Sequence, residues 1–186
     1  MARASGIDRA RVVAVAAELA DNQGLAAVSM SLIAERLGIR TPSLYNHIAG
    51  LAGLRRELAL LGMRQLAERL GAAIMGWSGD SAVHALAVAY RSYVLAHPGV
   101  YATTVEAPPL EDHELQSASA QLLAVVKAAL AAYHLGEAEL LHVTRGLRSL
   151  IHGFATLEAA GGFGLPLDHD ESFRLLVAVF VSGLRD

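Results

Sequence analysis

The sequence of 186 residues predicts an all-α protein of about nine helices. Apolar residues recur at the three- and four-residue spacing of a helix face along the long segments of the chain. Residues that cap or stop helices separate these segments. The length is sufficient for one small and one larger helical domain. We therefore expect a small domain of three helices in residues 1–50, followed by a larger helical domain in residues 51–186.

The first helix is predicted from about Asp8 to Asn22, and Gly24 is predicted to end it. Its apolar residues recur at helical spacing and form one face. They are Val12, Val13, Ala16, Leu19 and Ala20. We expect this helix to be the scaffold of the small domain.

The segment from Ser29 to Ile48 predicts two short helices joined by a tight turn. Ser29 can cap the first helix, because its hydroxyl can accept a hydrogen bond from an otherwise unpaired backbone N–H. Gly38 is predicted to end that helix, because glycine enters the left-handed conformation of a helix C-terminus without steric cost. Thr41 is predicted to cap the second helix and Pro42 to open it, since proline suits the first helical position.

The second of these helices has a predicted core face and a predicted outer face. Leu44 and Ile48 lie one turn apart and are expected to face the core. The outward residues are Pro42, Ser43, Tyr45, Asn46 and His47. These residue types contact the grooves and phosphates of duplex DNA. The pattern therefore predicts a helix-turn-helix DNA-binding module, with an ordinary helical hairpin as the alternative.

Three short motifs in this segment carry a resemblance to a known family. They are Ile33-Ala34 in the first helix, Leu37-Gly38-Ile39 in the turn, and Leu44-Tyr45-x-His47-Ile48 in the second helix. With these motifs the chain resembles the tetracycline-repressor (TetR) family of one-component transcriptional regulators. The resemblance implies that Tyr45 and His47 contact DNA phosphates. It assigns the base edges to Thr41, Pro42, Ser43 and Asn46.

The chain departs from the family pattern where cations usually meet the DNA backbone. Ser31 stands where an arginine is frequent, and Leu51 replaces the lysine of the motif F-x-x-K. Arg40, Arg55 and Arg56 could supply the missing charge to phosphates. Arg3 could reach the minor groove from an N-terminal arm, as such arms do in other DNA-binding proteins. Each could equally be a solvated surface residue. The candidate DNA-binding residues are Ser29, Ser31, Arg40, Thr41, Pro42, Ser43, Tyr45, Asn46 and His47.

The charge of the chain is unevenly distributed. A net charge of −3 would by itself argue against nucleic-acid binding. Residues 1–56, however, hold seven lysines and arginines against four acids, whereas residues 57–186 hold eight against fourteen. The basic part is the part that contains the helix-turn-helix motif, which agrees with duplex DNA as a partner.

The composition favours a cytoplasmic protein. The chain has no cysteine, which excludes a disulfide framework and suits a reducing compartment. Charged residues interrupt the N-terminus, so no signal peptide is expected. Although 54% of the residues are hydrophobic, the apolar runs end well before the roughly 18 residues that a membrane span needs. We expect no membrane partner, and the apolar excess is predicted to be buried within the fold and between subunits.

The larger domain is predicted to hold the fourth to ninth helices. Their expected extents are about Leu51–Leu70, Ser81–His97, a turn beginning at Pro98, Glu111–His134, Glu137–Ala160, and a last helix capped by Asp168. Asp168 with Glu171 resembles a capping box. The main apolar stripe of the last helix is predicted to be Phe173, Leu176, Val177, Phe180 and Leu184, with Leu175, Val179 and Val181 off that stripe.

The larger domain also resembles the TetR family, more loosely. The motifs are Tyr90-Arg91-x-Tyr93…His97-Pro98-Gly99-x-Tyr101 and Arg145…Arg148…Ile151-His152-Gly153-Phe154…Leu157-Glu158. The second resembles a subgroup with Trp-His-Gly in the eighth helix, although Ile151 replaces the tryptophan. The resemblance implies a homodimer joined through the eighth and ninth helices. It also implies an effector cavity among the fourth to eighth helices.

Two further sets of candidates come from residue type. A stripe of small residues on the eighth helix would let another helix approach closely, and the ninth helix is apolar on more than one side. The dimer-interface candidates are Gly146, Ser149, Gly153, Thr156 and Val179. The ligand-binding candidates, each of which could instead be plain core, are Met63, Tyr90, Tyr93, Leu122, Val126 and His152.

An enzymatic function has little support in the sequence. The chain has no His-Glu-x-x-His helix, no glycine-rich phosphate loop and no Gly-x-Ser-x-Gly. His152 near Glu158 could do acid–base work, but a core histidine is the simpler interpretation. His113 lies beside Glu111, Asp112 and Glu114 and could bind a metal loosely. A solvated helix start, where acids are favoured by the helix dipole, is the simpler interpretation of these residues. We predict no cofactor, no metal and no catalytic residue.

The sequence therefore predicts a homodimeric regulator that binds double-stranded operator DNA. We expect a repressor that a small apolar or amphipathic molecule releases. A DNA-binding protein without an effector is the first alternative, and an α-helical enzyme is the second.

Overall fold

The computed structural model describes residues 7–184, so the predicted contact of Arg3 lies outside the described residues. Within this range the chain forms nine α-helices, and the all-α prediction is confirmed. They are α1 (Arg9–Gln23), α2 (Met30–Leu37), α3 (Thr41–Leu44), α4 (Gly50–Ile74), α5 (Gly79–Ala96), α6 (Pro98–Ala102), α7 (His113–Leu130), α8 (Glu137–Ala159) and α9 (His169–Ser182). Short 3₁₀ turns lie at Leu25–Ala27 and Ala131–Tyr133.

The helices form two compact units. The first unit runs from the described N-terminal end to Gly62 and also contains His97–Leu115, and the second contains Met63–Ala96 and the chain from Gln116 onward. The single domain boundary predicted from the sequence lies after residue 50. The compact first unit extends further because Leu54 and Leu58 of α4 and Val100 of α6 are buried in its core.

Local capping residues set the ends of α1 and α2, and the predicted stops at Gly24 and Gly38 and the predicted cap at Ser29 are confirmed. The Asp8 side chain accepts a hydrogen bond from the Arg11 backbone N–H at 2.8 Å, and α1 ends at Gly24, whose φ is 85°. The Ser29 hydroxyl accepts from the Leu32 N–H at 3.3 Å. Gly38 ends α2 in the left-handed conformation with φ of 68°, which a residue with a Cβ rarely adopts.

In the second unit α5 packs against α8 and α9, and α8 packs against α9. The Asp168 side chain caps α9 by accepting from the Asp170 and Glu171 N–H groups. The predicted apolar stripe of α9 needs a correction, because the structure buries Phe173, Val177 and Val181 and leaves Leu176 36% exposed. The buried side of α9 is therefore rotated toward Val181, since only the face toward α5 and α8 is covered within the chain.

One segment of the described chain, His113–Tyr133, is long and apolar enough by length and composition to cross a membrane. The sequence analysis expected no such segment. A single helix of this kind is weak evidence for a span, because a packed core helix can have the same composition.

Candidate DNA-binding and effector sites

The second helix of the predicted helix-turn-helix is shorter than predicted, and we call residues 41–48 the recognition segment. Helix α3 contains four residues, Thr41–Leu44, and the chain continues as a turn through His47. The N-cap position is Arg40 rather than Thr41, and no side chain caps the helix. The sequence analysis was wrong on Thr41 because Pro42 lies at the second helical position and not the first. The turn is closed by N–H groups of Tyr45 and His47 that donate to backbone oxygens three residues earlier.

The recognition segment divides into a buried and an exposed side, as the sequence pattern predicts. Leu44 is 0% exposed and Ile48 is 3% exposed, which fixes the segment on the core of the first unit. The exposed residues are Pro42, Ser43, Tyr45 and Asn46, with Thr41 and His47 half-buried. The phenol ring of Tyr45 is 60% exposed although it is apolar over most of its area. These side chains are therefore available to a partner.

The two serines at the start of α2, Ser29 at the N-cap and Ser31 within the helix, differ in what they can do. The Ser29 hydroxyl is used as the helix cap and lies 3.2 Å from the Ser31 hydroxyl. Ser31 is exposed, whereas Ser29 is half-buried. Ser29 therefore positions α2, while Ser31 remains a candidate for a direct contact.

The arginines near the recognition segment are in different electrostatic states. The guanidinium of Arg56 donates to Asp112 at 2.5 and 2.7 Å and to Glu114 at 3.0 Å, and it also contacts Glu57. These carboxylates, Asp112 foremost, raise the pKa of Arg56 above its ordinary value, and Arg56 lowers the pKa of Asp112. Arg56 is therefore bound within the first unit. Arg40 and Arg55 are exposed.

The acidic start of α7 does not form a metal site in the described residues. Asp112 and Glu114 hold Arg56, and the Asp112 carboxylate also accepts from the Leu115 N–H at 3.1 Å. Among residues 7–184, no group of three or more His, Cys, Asp or Glu could hold a metal ion.

All six ligand-binding candidates lie in the second unit. Met63, Tyr90, Tyr93 and Val126 are buried, and Leu122 and His152 are half-buried.

A polar group in the second unit was missed by the sequence analysis. The hydroxyl of Tyr93, a residue 0% exposed, donates to the Gln65 side-chain oxygen at 3.0 Å. The guanidinium of Arg69 lies over the Tyr93 ring, 5.7 Å from its centre. Gln65 and Arg69 are one turn apart on the second half of α4, which also contains the charged residues Arg64 and Glu68. That spacing is the signal that could have identified them.

The carboxylate of Glu158, which the sequence analysis paired with His152, is held by Arg91. Arg91 donates to it at 2.6 and 2.7 Å, and His169 lies 3.3 Å away. The Arg91 guanidinium also lies over the rings of Phe154 and Phe173, with centroid distances of 5.4 and 5.1 Å. Arg91 lowers the pKa of Glu158, so this carboxyl is ionised at neutral pH and is a poor proton donor. The arrangement ties α5, α8 and α9 together.

The dimer-interface candidates lie on both the exposed and the packed side of α8 and α9. Val179 is 71% exposed, and a Cβ at Gly153 would meet nothing within 4 Å. Gly146 is different, because a Cβ there would lie 3.3 Å from the Phe180 ring of the same chain. Ser149 is exposed, and the Thr156 hydroxyl donates to the His152 backbone oxygen at 2.7 Å. Gly146 thus lets α9 of its own chain approach.

The chain is similar to bacterial regulatory proteins over its whole length. The sequence profile of bacterial regulatory proteins of the tetR family matches residues 12–58, and that of the tetracyclin repressor-like C-terminal domain matches residues 83–180. The chain is 37% identical to the uncharacterized HTH-type transcriptional regulator YobS of Bacillus subtilis, over 96% of this chain and 93% of the relative. It is 31% identical to an uncharacterized HTH-type transcriptional regulator of Mycobacterium tuberculosis, over 99% of this chain and 84% of that relative.

Two solved structures illustrate the similarity in fold. A protein of unknown function from Rhodococcus sp. RHA1 has a TM-score of 0.82 at 23% identity, covering 99% of this chain and 98% of the other. A TetR variant from Acinetobacter baumannii AYE was solved in complex with minocycline. It has a TM-score of 0.72 at 20% identity, and the match covers 97% of this chain and 99% of the other.

We expect the outer face of the recognition segment to divide into phosphate-contacting and base-contacting residues. Tyr45→Ala and His47→Ala should each weaken binding to all duplexes about three- to tenfold, because each removes a hydrogen bond to a phosphate. Ser43→Ala and Asn46→Ala should instead change base preference, since base-edge contacts discriminate by about 1 to 3 kcal/mol. Selection of bound duplexes from a random pool, followed by anisotropy titrations, measures both effects. Unchanged affinity in all four variants would show that another surface binds DNA.

The electrostatic difference between the arginines predicts different salt dependences. Arg40→Ala and Arg55→Ala should each lower the slope of log affinity against log salt by about one, because each removes a cation available to a phosphate. Arg56→Ala is the matched control and should leave the slope unchanged, because three carboxylates already neutralise its charge. DNA-binding titrations of each variant at several salt concentrations measure these slopes. A loss of slope in Arg56→Ala alone would reverse the assignment.

Proposed function

Because this chain belongs to the TetR family of bacterial transcriptional regulators, we propose that it is a repressor released from operator DNA by a small apolar or amphipathic molecule. The observation that carries the proposal is the exposed side of Pro42–His47, anchored by the fully buried Leu44 in the basic part of the chain. Exposed side chains on a rigid support are what base and phosphate contacts require. As a regulator of transcription, the protein is proposed to act in the cytoplasm, where the DNA is.

A small-molecule effector is supported by the second unit. The hydroxyl of the buried Tyr93 donates to the half-buried Gln65 in a unit whose other ligand-binding candidates are mostly buried apolar residues, and a few polar groups among apolar ones are the composition of a small-molecule site. The A. baumannii TetR variant was solved with minocycline. We propose that this chain binds its own effector with residues drawn from Met63, Tyr90, Tyr93, Leu122, Val126 and His152, aided by Gln65. The motif Ile151-His152-Gly153 leads us to propose kinship with the Trp-His-Gly subgroup.

Helix α4 is the proposed connection between operator and effector. It is continuous over Gly50–Ile74, with its first half in the first unit and its second half in the second unit. A ligand that prefers a tilted α4 would lower operator affinity, and operator DNA would lower ligand affinity by the same factor. A coupling of about 1 to 3 kcal/mol gives release of about 5- to 150-fold.

A homodimer on a palindromic operator is part of the proposal. Exposed apolar residues on α8 and α9 support it, since such residues gain from burial against a second copy. They are Leu157, Leu175, Leu176 and Val179. Two recognition segments joined in this way would contact successive major grooves about 34 Å apart.

Filling the proposed effector site should uncouple release from DNA binding. Leu122→Trp should abolish or strongly reduce release by a ligand found in a panel of apolar and amphipathic compounds, minocycline included, while operator affinity stays within about twofold. Leu165→Trp is the matched control, because Leu165 lies in the same unit and is 75% exposed. Operator titrations with and without the ligand provide the measurement. If no compound lowers operator affinity in the unmodified protein, the runner-up function of a DNA-binding protein without an effector is supported.

Charge placed on the exposed faces of α8 and α9 should prevent dimerisation. Val179→Arg and Gly153→Arg should yield monomers that lose most of their affinity for the full operator, because a single recognition segment contacts only one half-site. Leu110→Arg, at an exposed apolar residue of the first unit, is the control and should stay dimeric. Sedimentation equilibrium at micromolar concentration measures the mass. A monomeric unmodified protein would contradict the proposed assembly.

A further inference from the structure

The first turn of α6 lies directly against the C-terminal end of α1. Any Cβ at Gly99 would overlap the backbone oxygen of Ala20, so only glycine permits this approach. Gly99 and Val100 are both buried, and Val100 is 1% exposed. The backbone of α6 is therefore fixed on α1 at van der Waals distance.

The N-terminus of α6 is capped by a residue from α1. The Asp21 carboxylate accepts a hydrogen bond from the Val100 N–H at 2.9 Å with one oxygen and lies 2.9 Å from His97 Nδ1 with the other. Val100 is the third residue of α6, so its N–H has no partner within that helix. His97 occupies the N-cap position but makes no side-chain cap bond. Asp21, 79 residues earlier in the chain, supplies the cap.

The capped helix α6 and the residues that follow it also pack against α4 within the first unit. A Cβ at Gly62 would lie 2.7 Å from Thr104 Cγ2 and 3.0 Å from Val100 Cγ1. Val100 belongs to the same core as Leu44 and Ile48, which anchor the recognition segment. A shift of α6 would therefore disturb the core on which the recognition segment rests.

We propose that Asp21 is a positioning residue for DNA binding, and that its cap on α6 holds α1 in the orientation that binds operator. This inference rests on the proposed function, because α5 carries the effector candidates Tyr90 and Tyr93 and passes directly into His97 and α6. Movement of the last turn of α5 would pull His97 and the first turn of α6 away from Asp21. Loss of the cap then frees α1 and lowers operator affinity.

The test compares Asp21→Ala with a conservative and a control variant. Asp21→Ala should lower operator affinity about fivefold or more, because it removes both bonds to α6. Asp21→Asn should bind within about twofold of the unmodified protein, since asparagine caps helices as well as aspartate. Glu18→Ala removes an exposed acid from the same helix and should not weaken binding. Anisotropy titrations with a selected duplex are made well below the melting temperature of each variant.

A double variant separates positioning from plain stabilisation. His97→Ala should lower operator affinity less than Asp21→Ala, and the double variant should bind no more weakly than Asp21→Ala alone. If Asp21→Ala lowers only the melting temperature and leaves operator affinity unchanged, the inference is overturned. Should Asp21→Ala fail to fold, His97→Ala carries the test alone, because it leaves the Val100 bond in place, and unchanged affinity there overturns the inference. Failure of the unmodified protein to bind any duplex would instead refute the proposed function.

Discussion

The helix-turn-helix module depends on a core that its own three helices, α1 to α3, do not complete. A module of about 50 residues buries only a modest share of its surface and is at best marginally stable by itself. Leu54 and Leu58 of α4 and Val100 of α6 fill the remaining space among α1, α2 and the recognition segment. The orientation of Pro42–His47 is thus set partly by residues that lie far from it in the chain. On the proposed function, that dependence would let a second part of the chain control DNA binding.

Charged residues reinforce both units by binding one another. Arg56 is held by Asp112 and its neighbours in the first unit, and Arg91 is held by Glu158 in the second. Paired carboxylates of this kind stay ionised, which suits structural ties and not proton transfer. The matched relatives are transcriptional regulators and not enzymes. The electrostatics of the chain therefore agree with binding as its function.

Signals that act within a few residues were predictable from the sequence. The caps at Ser29 and Asp168 and the stop at Gly38 were confirmed, because each bond joins groups three or fewer residues apart or depends on one backbone angle. The length of α3 was not predicted, since a four-residue helix has too little periodicity to mark its end. The burial of Val181 was missed because the covered side of α9 depends on its neighbours.

The sequence by itself determined the helical class, most helix ends, and the division of Pro42–His47 into a buried and an outward side. It also carried the family resemblance. The tertiary structure decided that His97–Leu115 belongs with the first unit, that Arg56 is bound by carboxylates, and that Asp21 caps α6. These contacts join residues more than fifty positions apart, and no local pattern specifies them. They arise only when packing of the core brings the segments together.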